Sequence, residues 1–306
     1  MGKRAILFPG QGAQQAGMGK DLYDSVPAAR EVYERANATA GIDIARLCFQ
    51  GPQADLDDTA VCQAAVLVTS IAALEALRAG GGAAEADMTA GLSLGEYTAL
   101  VYAGAIEFED AVRLVRQRGI FMKEAGEINP GGMVSVIGLS RDVVIEVVAA
   151  CQGDGVLVAA NFNSPVQIVL SGAVEAVDRA AQAATERGAR RAIRLPVSGA
   201  FHSPLMEPAR EKLAAELAGT EIRTPRVPLV SNVSARYVTT VEQVREVLSK
   251  QLTCPVLWED SMRFMIAEGM TEALEVGPGR VLRGLLAKTD RGVDTSNVGT
   301  MDNLTA

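Results

Sequence analysis

The stretch Ala86–Ala105, ADMTAGLSLGEYTALVYAGA, predicts a short strand, a tight turn and a helix. The apolar strand ends at Gly91, Ser93 occupies the turn, and the helix stops near Gly104. This is the setting of a nucleophile elbow, where glycines on both sides of a serine permit a strained turn and close packing of strand and helix. Ser93 is therefore a candidate nucleophile.

A simpler interpretation of the same residues is a helix start. Ser93 and Glu96 match S-x-x-E, a capping box whose only role would be to begin the helix. A capping box gains nothing from Gly91 and Gly95, however, and a glycine in the first helical turn costs up to about 1 kcal/mol relative to alanine. The elbow is favoured, although a bare G-x-S-x-G match is a weak signal without its context.

A serine hydroxyl needs a base to become a nucleophile, and the usual base is histidine. The chain contains one histidine, His202, in the segment PVSGAFHSPLMEPAR. The neighbouring Ser198, Gly199 and Pro204 predict a constrained loop. A lone histidine is more often a surface or core residue than a base, but no other histidine could serve Ser93.

Composition limits the class of protein. The 306 residues are 48% hydrophobic and 22% charged, which is typical of a globular domain. We expect no apolar run as long as the roughly 18 residues of a membrane span, and the N-terminal residues do not resemble a signal peptide. We therefore expect a cytoplasmic protein without a membrane partner. A net charge of −8 disfavours nucleic-acid binding. The four cysteines are scattered and predict no metal site.

The chain on either side of the elbow predicts an α/β fold. RAILFPGQG reads as a buried strand, and Ala64–Gly82 as a helix packed on a sheet. From Asn129 onward six segments follow the order β-α-β-β-α-β, the order of a ferredoxin-like unit over about residues 128–197. The polar tail after Lys288 is expected to be loosely held.

Two further features have competing interpretations. FPGQGAQQAGMG resembles a dinucleotide-binding loop, but Gln15 replaces the third glycine and Pro9 interrupts the approach. A better use of this loop is to aim a backbone N–H at a developing oxyanion. Arg118 could be one more solvated helix cation, or it could turn inward, where a buried guanidinium needs a carboxylate.

Six segments together resemble the malonyl-CoA:acyl-carrier-protein transacylase family along essentially the whole chain. They are FPGQGAQ, GLSLGEY, RGIFM, NFNSPVQIVLSG, SGAFHSPLM and EVGPGRVL, and they occur in the order of the family. The resemblance implies an α/β-hydrolase-like core with an inserted ferredoxin-like (βαββαβ) subdomain. The large catalytic domain would comprise residues 1–127 and 198–306, and the small subdomain residues 128–197.

The resemblance also implies the catalytic groups. Ser93 would take the acyl group, and His202 would activate it and later protonate the leaving thiol. Gln251 would orient the histidine through its backbone carbonyl, in place of a triad carboxylate. The N–H groups of Gln11 and Leu94 would form the oxyanion hole.

Four more residues would contact the acyl group by resemblance. Arg118 would hold the free carboxylate of malonyl by a bidentate pair, and Phe201 would exclude an α-methyl branch, favouring malonyl over methylmalonyl. Gln63 and Asn161 would line the site. The reaction is a ping-pong transfer from malonyl-CoA to the phosphopantetheine of a holo acyl carrier protein. It needs no cofactor or metal, would supply fatty acid synthesis, and would be carried out by a monomer.

The chain departs from the family at two positions. Leu92 precedes the serine where a histidine is common, which removes a polar neighbour but no catalytic role. Ala64 follows Gln63 where a proline is common, which makes the local turn uncertain.

Three alternatives remain open at this level. A thioesterase or esterase could use the same elbow, although such enzymes usually place the histidine near the C-terminus, whereas about 100 residues follow His202 here. A non-catalytic module could keep the fold and bind a carrier protein. A free-standing acyltransferase of a polyketide synthase would have the same catalytic residues. Two basic segments, Glu186–Arg194 and Gly279–Arg291, are candidate docking sites for an acidic carrier protein.

Overall fold

The structure, a computed structural model, describes residues 2–197 and 199–304. Its strands are β1 Lys3–Phe8, β2 Met88–Gly91, β3 Gly131–Ile137, β4 Leu157–Ser164, β5 Gln167–Ala173, β6 Arg191–Arg194, β7 Leu229–Val230, β8 Tyr237–Val238, β9 Met270–Val276 and β10 Asp294–Val298. Its helices are α1 Lys20–Ser25, α2 Pro27–Ala40, α3 Ile44–Gln50, α4 Gln53–Asp57, α5 Thr59–Ala79, α6 Gly95–Tyr102, α7 Phe108–Ile128, α8 Arg141–Cys151, α9 Val174–Glu186, α10 Glu207–Gly219, α11 Val241–Gln251, α12 Trp258–Ala267 and α13 Val281–Thr289. Two 3₁₀ turns cover Pro204–Met206 and Met301–Asn303.

The larger sheet has the strand order β10-β9-β1-β2-β7-β8 and is parallel except for β8. The central strand β1 is buried on both faces: Ile6 and Phe8 belong to one hydrophobic core, and Ala5 and Leu7 to another. Phe8 pairs with Gly91, so β1 and β2 end at the same edge of the sheet. The chain that follows each strand therefore meets there, as ligand sites in open parallel sheets require.

Helix α5 corrects one expectation from the sequence. It has 21 residues with a mean hydropathy of 1.8 over an 18-residue window, so it is long and apolar enough to cross a membrane. In this fold 83% of that window is buried inside the protein, and the helix packs against α2 and α7. A helix surrounded by other elements on all sides becomes apolar all round, which produces the same composition as a membrane span.

The smaller sheet is antiparallel, with the strand order β4-β5-β3-β6. The six elements β3-α8-β4-β5-α9-β6 follow the predicted β-α-β-β-α-β order. This sheet has a hydrophobic core of its own, which includes Val134, Leu170 and Val177. Backbone hydrogen bonds join β4 to the rest of the protein: Val256 N donates to Ala160 O at 2.8 Å, and Phe162 N donates to Val256 O at 2.9 Å.

The expectation of a loosely held tail is wrong. Strand β10 pairs in parallel with β9 and forms the edge of the larger sheet. Beyond it, Met301 N donates to Asp21 Oδ2 at 2.7 Å. Polar side chains misled the prediction because strand pairing uses backbone groups, and an edge strand can leave its side chains in water. Thr305 and Ala306 lie outside the described residues, as do Met1 and Ser198.

Candidate active site

The elbow around Ser93 is held in a strained conformation. Ser93 has φ 51°, in the left-handed region that non-glycine residues rarely adopt. A Cβ atom on Gly91 would lie 1.9 Å from the carbonyl carbon and oxygen of Gly95, and one on Gly95 would lie 2.1 Å from Phe8 O. Both glycines are therefore required by close backbone approach, as an elbow predicts and a capping box does not.

The capping-box interpretation is wrong for this helix. Leu94 occupies the N-cap of α6, and no side chain caps it. The Glu96 side chain is instead fully buried, where it accepts hydrogen bonds from Asn232 N at 3.3 Å and from Gln251 Nε2. Burial raises the pKa of Glu96 to about 7, against the opposing effect of these hydrogen bonds.

Ser93 and His202 are brought together across 109 residues of chain. Ser93 Oγ lies 2.8 Å from His202 Nε2, and His202 Nδ1 lies 2.9 Å from the backbone oxygen of Gln251. Because a carbonyl can only accept, Nδ1 carries the proton, and Nε2 is free to accept the serine proton. Burial, reinforced by the charge of Arg118, lowers the pKa of His202 to about 4, so the imidazole is a neutral base at physiological pH.

Arg118 turns inward, so its interpretation as a solvated helix cation is wrong. It is 1% exposed and donates to Gln63 Oε1 at 2.6 Å, to Gln251 Oε1 at 2.9 Å and to Ser93 Oγ at 3.1 Å. The ring of Tyr97 lies 5.4 Å from its guanidinium carbon. Within the described residues no carboxylate forms an ion pair with it, and burial lowers its pKa. The site thus holds a buried cation with no carboxylate in direct contact.

Leu94 directly follows Ser93, and Gln11 borders the same cavity as Ser93, so their backbone N–H groups are the candidates for the oxyanion hole. The loop after β1 approaches the elbow so closely that a Cβ on Gly10 would lie 2.3 Å from Leu92 O. Across residues 2–197 and 199–304, neither N–H has a protein acceptor. They are therefore available to a developing oxyanion.

A cleft of about 140 Å³, here termed the acyl cleft, opens above Ser93 between the two sheets. Its walls combine Gln11, Leu92, Ser93, Met122, Phe201 and His202 with Met133, Asn161, Asn163, Val169, Leu195 and Val197 of the smaller-sheet region. Phe201 and Asn161 thus face the space that the sequence assigned to them. Gln63, which was expected to line the site, does not border the cleft. Together with Arg118 and Gln251 it lies behind the cleft floor, where these side chains contact Ser93 and Met122.

The two departures from the family pattern have structural outcomes. Leu92 lines the acyl cleft as an apolar side chain. Gln63 is fully buried within the continuous helix α5, so no turn forms there, and its amide bridges Arg118 and Met122 Sδ.

A second space of about 360 Å³ adjoins the acyl cleft and shares Gln11, Leu92 and Asn163 with it. We term it the entry groove. Arg280 and Lys288 supply cations to its walls. Arg283 faces away, because its guanidinium contacts Asn297 of β10 at 3.3 Å.

Sequence reasoning missed Asn232. Its side chain bridges the elbow, since Oδ1 accepts from Ser93 N at 2.6 Å and Nδ2 donates to Gly91 O at 2.7 Å. No local signal indicates this, because Asn232 lies 139 residues beyond Ser93 and follows the two-residue strand β7.

An α/β fold that places a Ser–His pair on a nucleophile elbow beside a buried arginine suits acyl transfer, and the acyl transferase domain model matches residues 6–303. The malonyl CoA-acyl carrier protein transacylase of Bacillus subtilis strain 168 is 46% identical over 96% of this chain and 93% of its own length. The chain belongs to the malonyl CoA-acyl carrier protein transacylase family.

Solved structures of relatives support the same family assignment. The acyl-carrier-protein S-malonyltransferase of Burkholderia pseudomallei 1710b has a TM-score of 0.96 and 39% identity, covering 99% of this chain and 98% of that one. A malonyl-transacylase in complex with its type II PKS acyl-carrier protein has a TM-score of 0.96 and 38% identity, with the same coverage.

Proposed function

We propose that this chain transfers a malonyl group from CoA to the phosphopantetheine thiol of a holo acyl carrier protein, through an ester on Ser93. The observation that carries the proposal is the contact of Arg118 with Ser93 Oγ at 3.1 Å. A buried cation without a carboxylate, placed beside an activated serine, suits an acyl group that brings its own carboxylate.

The first half-reaction forms the acyl-enzyme. Ser93 Oγ attacks the thioester carbon while its proton passes to His202 Nε2, and the N–H groups of Gln11 and Leu94 stabilise the oxyanion. Collapse breaks the C–S bond, and His202 returns the proton to the CoA thiolate. Gln251 O accepts from Nδ1 throughout, which stabilises the imidazolium.

The second half-reaction reverses these steps with a different thiol. His202 takes the proton of the phosphopantetheine thiol, the thiolate attacks the Ser93 ester, and the serine regains its proton on release. The two halves together break one thioester and form another, since the Ser93 ester made in the first half is consumed in the second, so the overall reaction is nearly thermoneutral. The chemistry requires no cofactor and no metal.

Selectivity follows from the floor and walls of the acyl cleft. Arg118 favours an acyl group with a free carboxylate, because an acetyl group leaves the guanidinium unpaired. Phe201 is 6% exposed and borders the cleft, where an α-methyl branch would meet it. Gln63 and Gln251 hold the arginine fork beneath Ser93, and Asn161 adds a polar group to the wall.

We further propose that the carrier protein docks over the entry groove. Of the cations in Gly279–Arg291, Arg280 and Lys288 border this groove, and the phosphopantetheine arm would pass them to reach Ser93. Arg190 and Arg191 line neither space. Reversing the charge with Arg280→Glu and Lys288→Glu should raise the KM for carrier protein several-fold, whereas Arg283→Glu should not. An equal effect of all three would place the dock elsewhere.

Intact-protein mass spectrometry tests the function. The protein is mixed briefly with malonyl-CoA, methylmalonyl-CoA or acetyl-CoA, with Ser93→Ala as control. We expect a malonyl adduct that is absent in the variant and is discharged by holo carrier protein. Free malonate without an adduct would instead support a thioesterase.

We propose that the protein serves fatty acid synthesis and that it acts as a monomer in the cytoplasm. The second candidate is service to a polyketide synthase, favoured by the likeness to a transacylase bound to a type II PKS acyl-carrier protein. Comparing holo carrier proteins of both pathways as acceptors separates the two candidates.

We also propose that the fold is an α/β-hydrolase-like core (1–127 and 198–306) that carries a ferredoxin-like subdomain (128–197).

A further inference from the structure

Glu96 is a fully buried carboxylate for which the reaction scheme above has no role. It lies one turn beyond Ser93 on α6, and within the described residues it forms no ion pair. Its two oxygens are used separately: Oε1 accepts from Asn232 N at 3.3 Å, and Oε2 accepts from the side chain of Gln251.

The side-chain amide of Gln251 connects this carboxylate to the substrate-binding cation. Gln251 Nε2 donates to Glu96 and to Ser93 O at 3.0 Å, while Gln251 Oε1 accepts from Arg118 at 2.9 Å. An amide has a donor end and an acceptor end. If it turned over, its NH₂ would face the guanidinium and its oxygen would face the carboxylate, so both contacts would become repulsive.

The backbone of Gln251 is fixed independently of that amide. It is the last residue of α11, and its carbonyl accepts from His202 Nδ1. A change in the contact between Gln251 Oε1 and Arg118 can therefore leave the backbone contact that orients His202 in place. The two functions of Gln251 are separable by experiment.

We propose that Glu96 is a positioning residue that fixes the Gln251 amide, so that Arg118 is aimed at the carboxylate of the incoming acyl group. This rests on the proposed function, because it assumes that Arg118 binds that carboxylate. Asn232 completes the arrangement, since it donates to Glu96 and accepts from Ser93 N, which links the carboxylate to the elbow itself.

The test is Glu96→Gln, which keeps the size but supplies one acceptor for two donors. In the variant, one of the two donors, Asn232 N or Gln251 Nε2, would face the NH₂ group of the new glutamine instead of an acceptor oxygen. At pH 8, above the Glu96 pKa of about 7, we expect the rate constant for Ser93 acylation at low malonyl-CoA to fall roughly ten- to hundredfold, the value of one hydrogen bond to a charged group. Most of this loss should appear as a higher half-saturating concentration of malonyl-CoA.

Two readouts separate positioning from a general structural defect. Acylation by acetyl-CoA and labelling of Ser93 by a fluorophosphonate do not use Arg118, so each should stay within about threefold of wild type. Glu259→Gln is the matched control, because Glu259 is also buried but pairs with Arg263 on α12. Glu96→Asp, which retains the charge on a shorter side chain, should give an intermediate loss and serves if Glu96→Gln does not fold.

An equal fall with malonyl-CoA, acetyl-CoA and the fluorophosphonate would overturn the proposal, as would an unchanged malonyl-to-acetyl ratio. Wild-type protein decides the function separately. If it labels with the fluorophosphonate but takes no malonyl group, the proposed function fails whatever the variant does.

Discussion

Arg118 carries the clearest quantitative prediction. In the free protein its guanidinium is buried among neutral acceptors and forms no ion pair within the described residues, so it contacts a carboxylate directly only when a substrate brings one. Arg118→Ala should remove the cation that pairs with the substrate carboxylate and leave the Ser93–His202 pair in place. Acylation by malonyl-CoA should fall, and acylation by acetyl-CoA should hold or rise, because no buried cation is then left unpaired.

The size of the effect follows from hydrogen bonds to a charged group. Each is worth about 1.5–3 kcal/mol, and a bidentate pair between Arg118 and malonyl would contribute two. To form this pair, Arg118 must give up its contacts to Gln63 and Gln251, and the loss of these contacts offsets part of the free energy gained. A net loss of about 3 kcal/mol corresponds to a fall of roughly 150-fold in kcat/KM for malonyl-CoA.

Single-turnover acylation followed by intact mass gives both rate constants in one assay. Arg113→Ala is the control, because Arg113 lies on the same helix but is exposed and paired with Asp110. Arg118→Lys should fall between wild type and alanine, since an ammonium keeps the charge but not the fork. Equal losses for malonyl and acetyl would refute the assigned role of Arg118.

Three further predictions concern the base, the elbow and the acyl cleft. Because the pKa of His202 is lowered to about 4, its neutral form prevails above that pH, and fluorophosphonate labelling of Ser93 should stay level between about pH 5 and 8. A decline centred near the ordinary histidine value of about 6.5 would contradict this. Gly95→Ala should lower the free energy of unfolding, measured in urea, by about 1–3 kcal/mol or more, since its Cβ would lie 2.1 Å from Phe8 O. Gly219→Ala, with open space around the new methyl group, should not, and equal stabilities would show that the elbow relaxes. Phe201→Ala should raise methylmalonyl relative to malonyl acylation by mass spectrometry, and an unchanged ratio would assign the discrimination to another residue.

Much of the candidate site could be predicted because its parts have local signals. Glycines flank Ser93 at the spacing of an elbow, the chain has one histidine, and resemblance to a family supplied Arg118 and Gln251. The network behind them could not be predicted in this way. Asn232 and Glu96 act through contacts that join residues 136–155 positions apart, and nothing near either residue marks them.

Two expectations from the sequence failed for different reasons. Helix α5 was predicted as a packed helix, but it is more apolar than the sequence analysis allowed, because it is buried on nearly all sides. Strand β10 was expected to be a loose tail because its side chains are polar. Helix α5 packs against α2 and α7 and also contacts β9 and β10 of the larger sheet, and the backbone of β9 supplies the hydrogen bonds of β10.

The sequence by itself determined the α/β class, the strand-turn-helix at Ser93 and the order of the β-α-β-β-α-β segment, because glycine spacing and apolar periodicity act within a few residues. Only the tertiary structure decided that Arg118 is buried without a carboxylate in direct contact and that Glu96 accepts from the side chain of Gln251. Burial and hydrogen-bond partners depend on which distant segments share a space, and that is fixed only when the whole chain is packed.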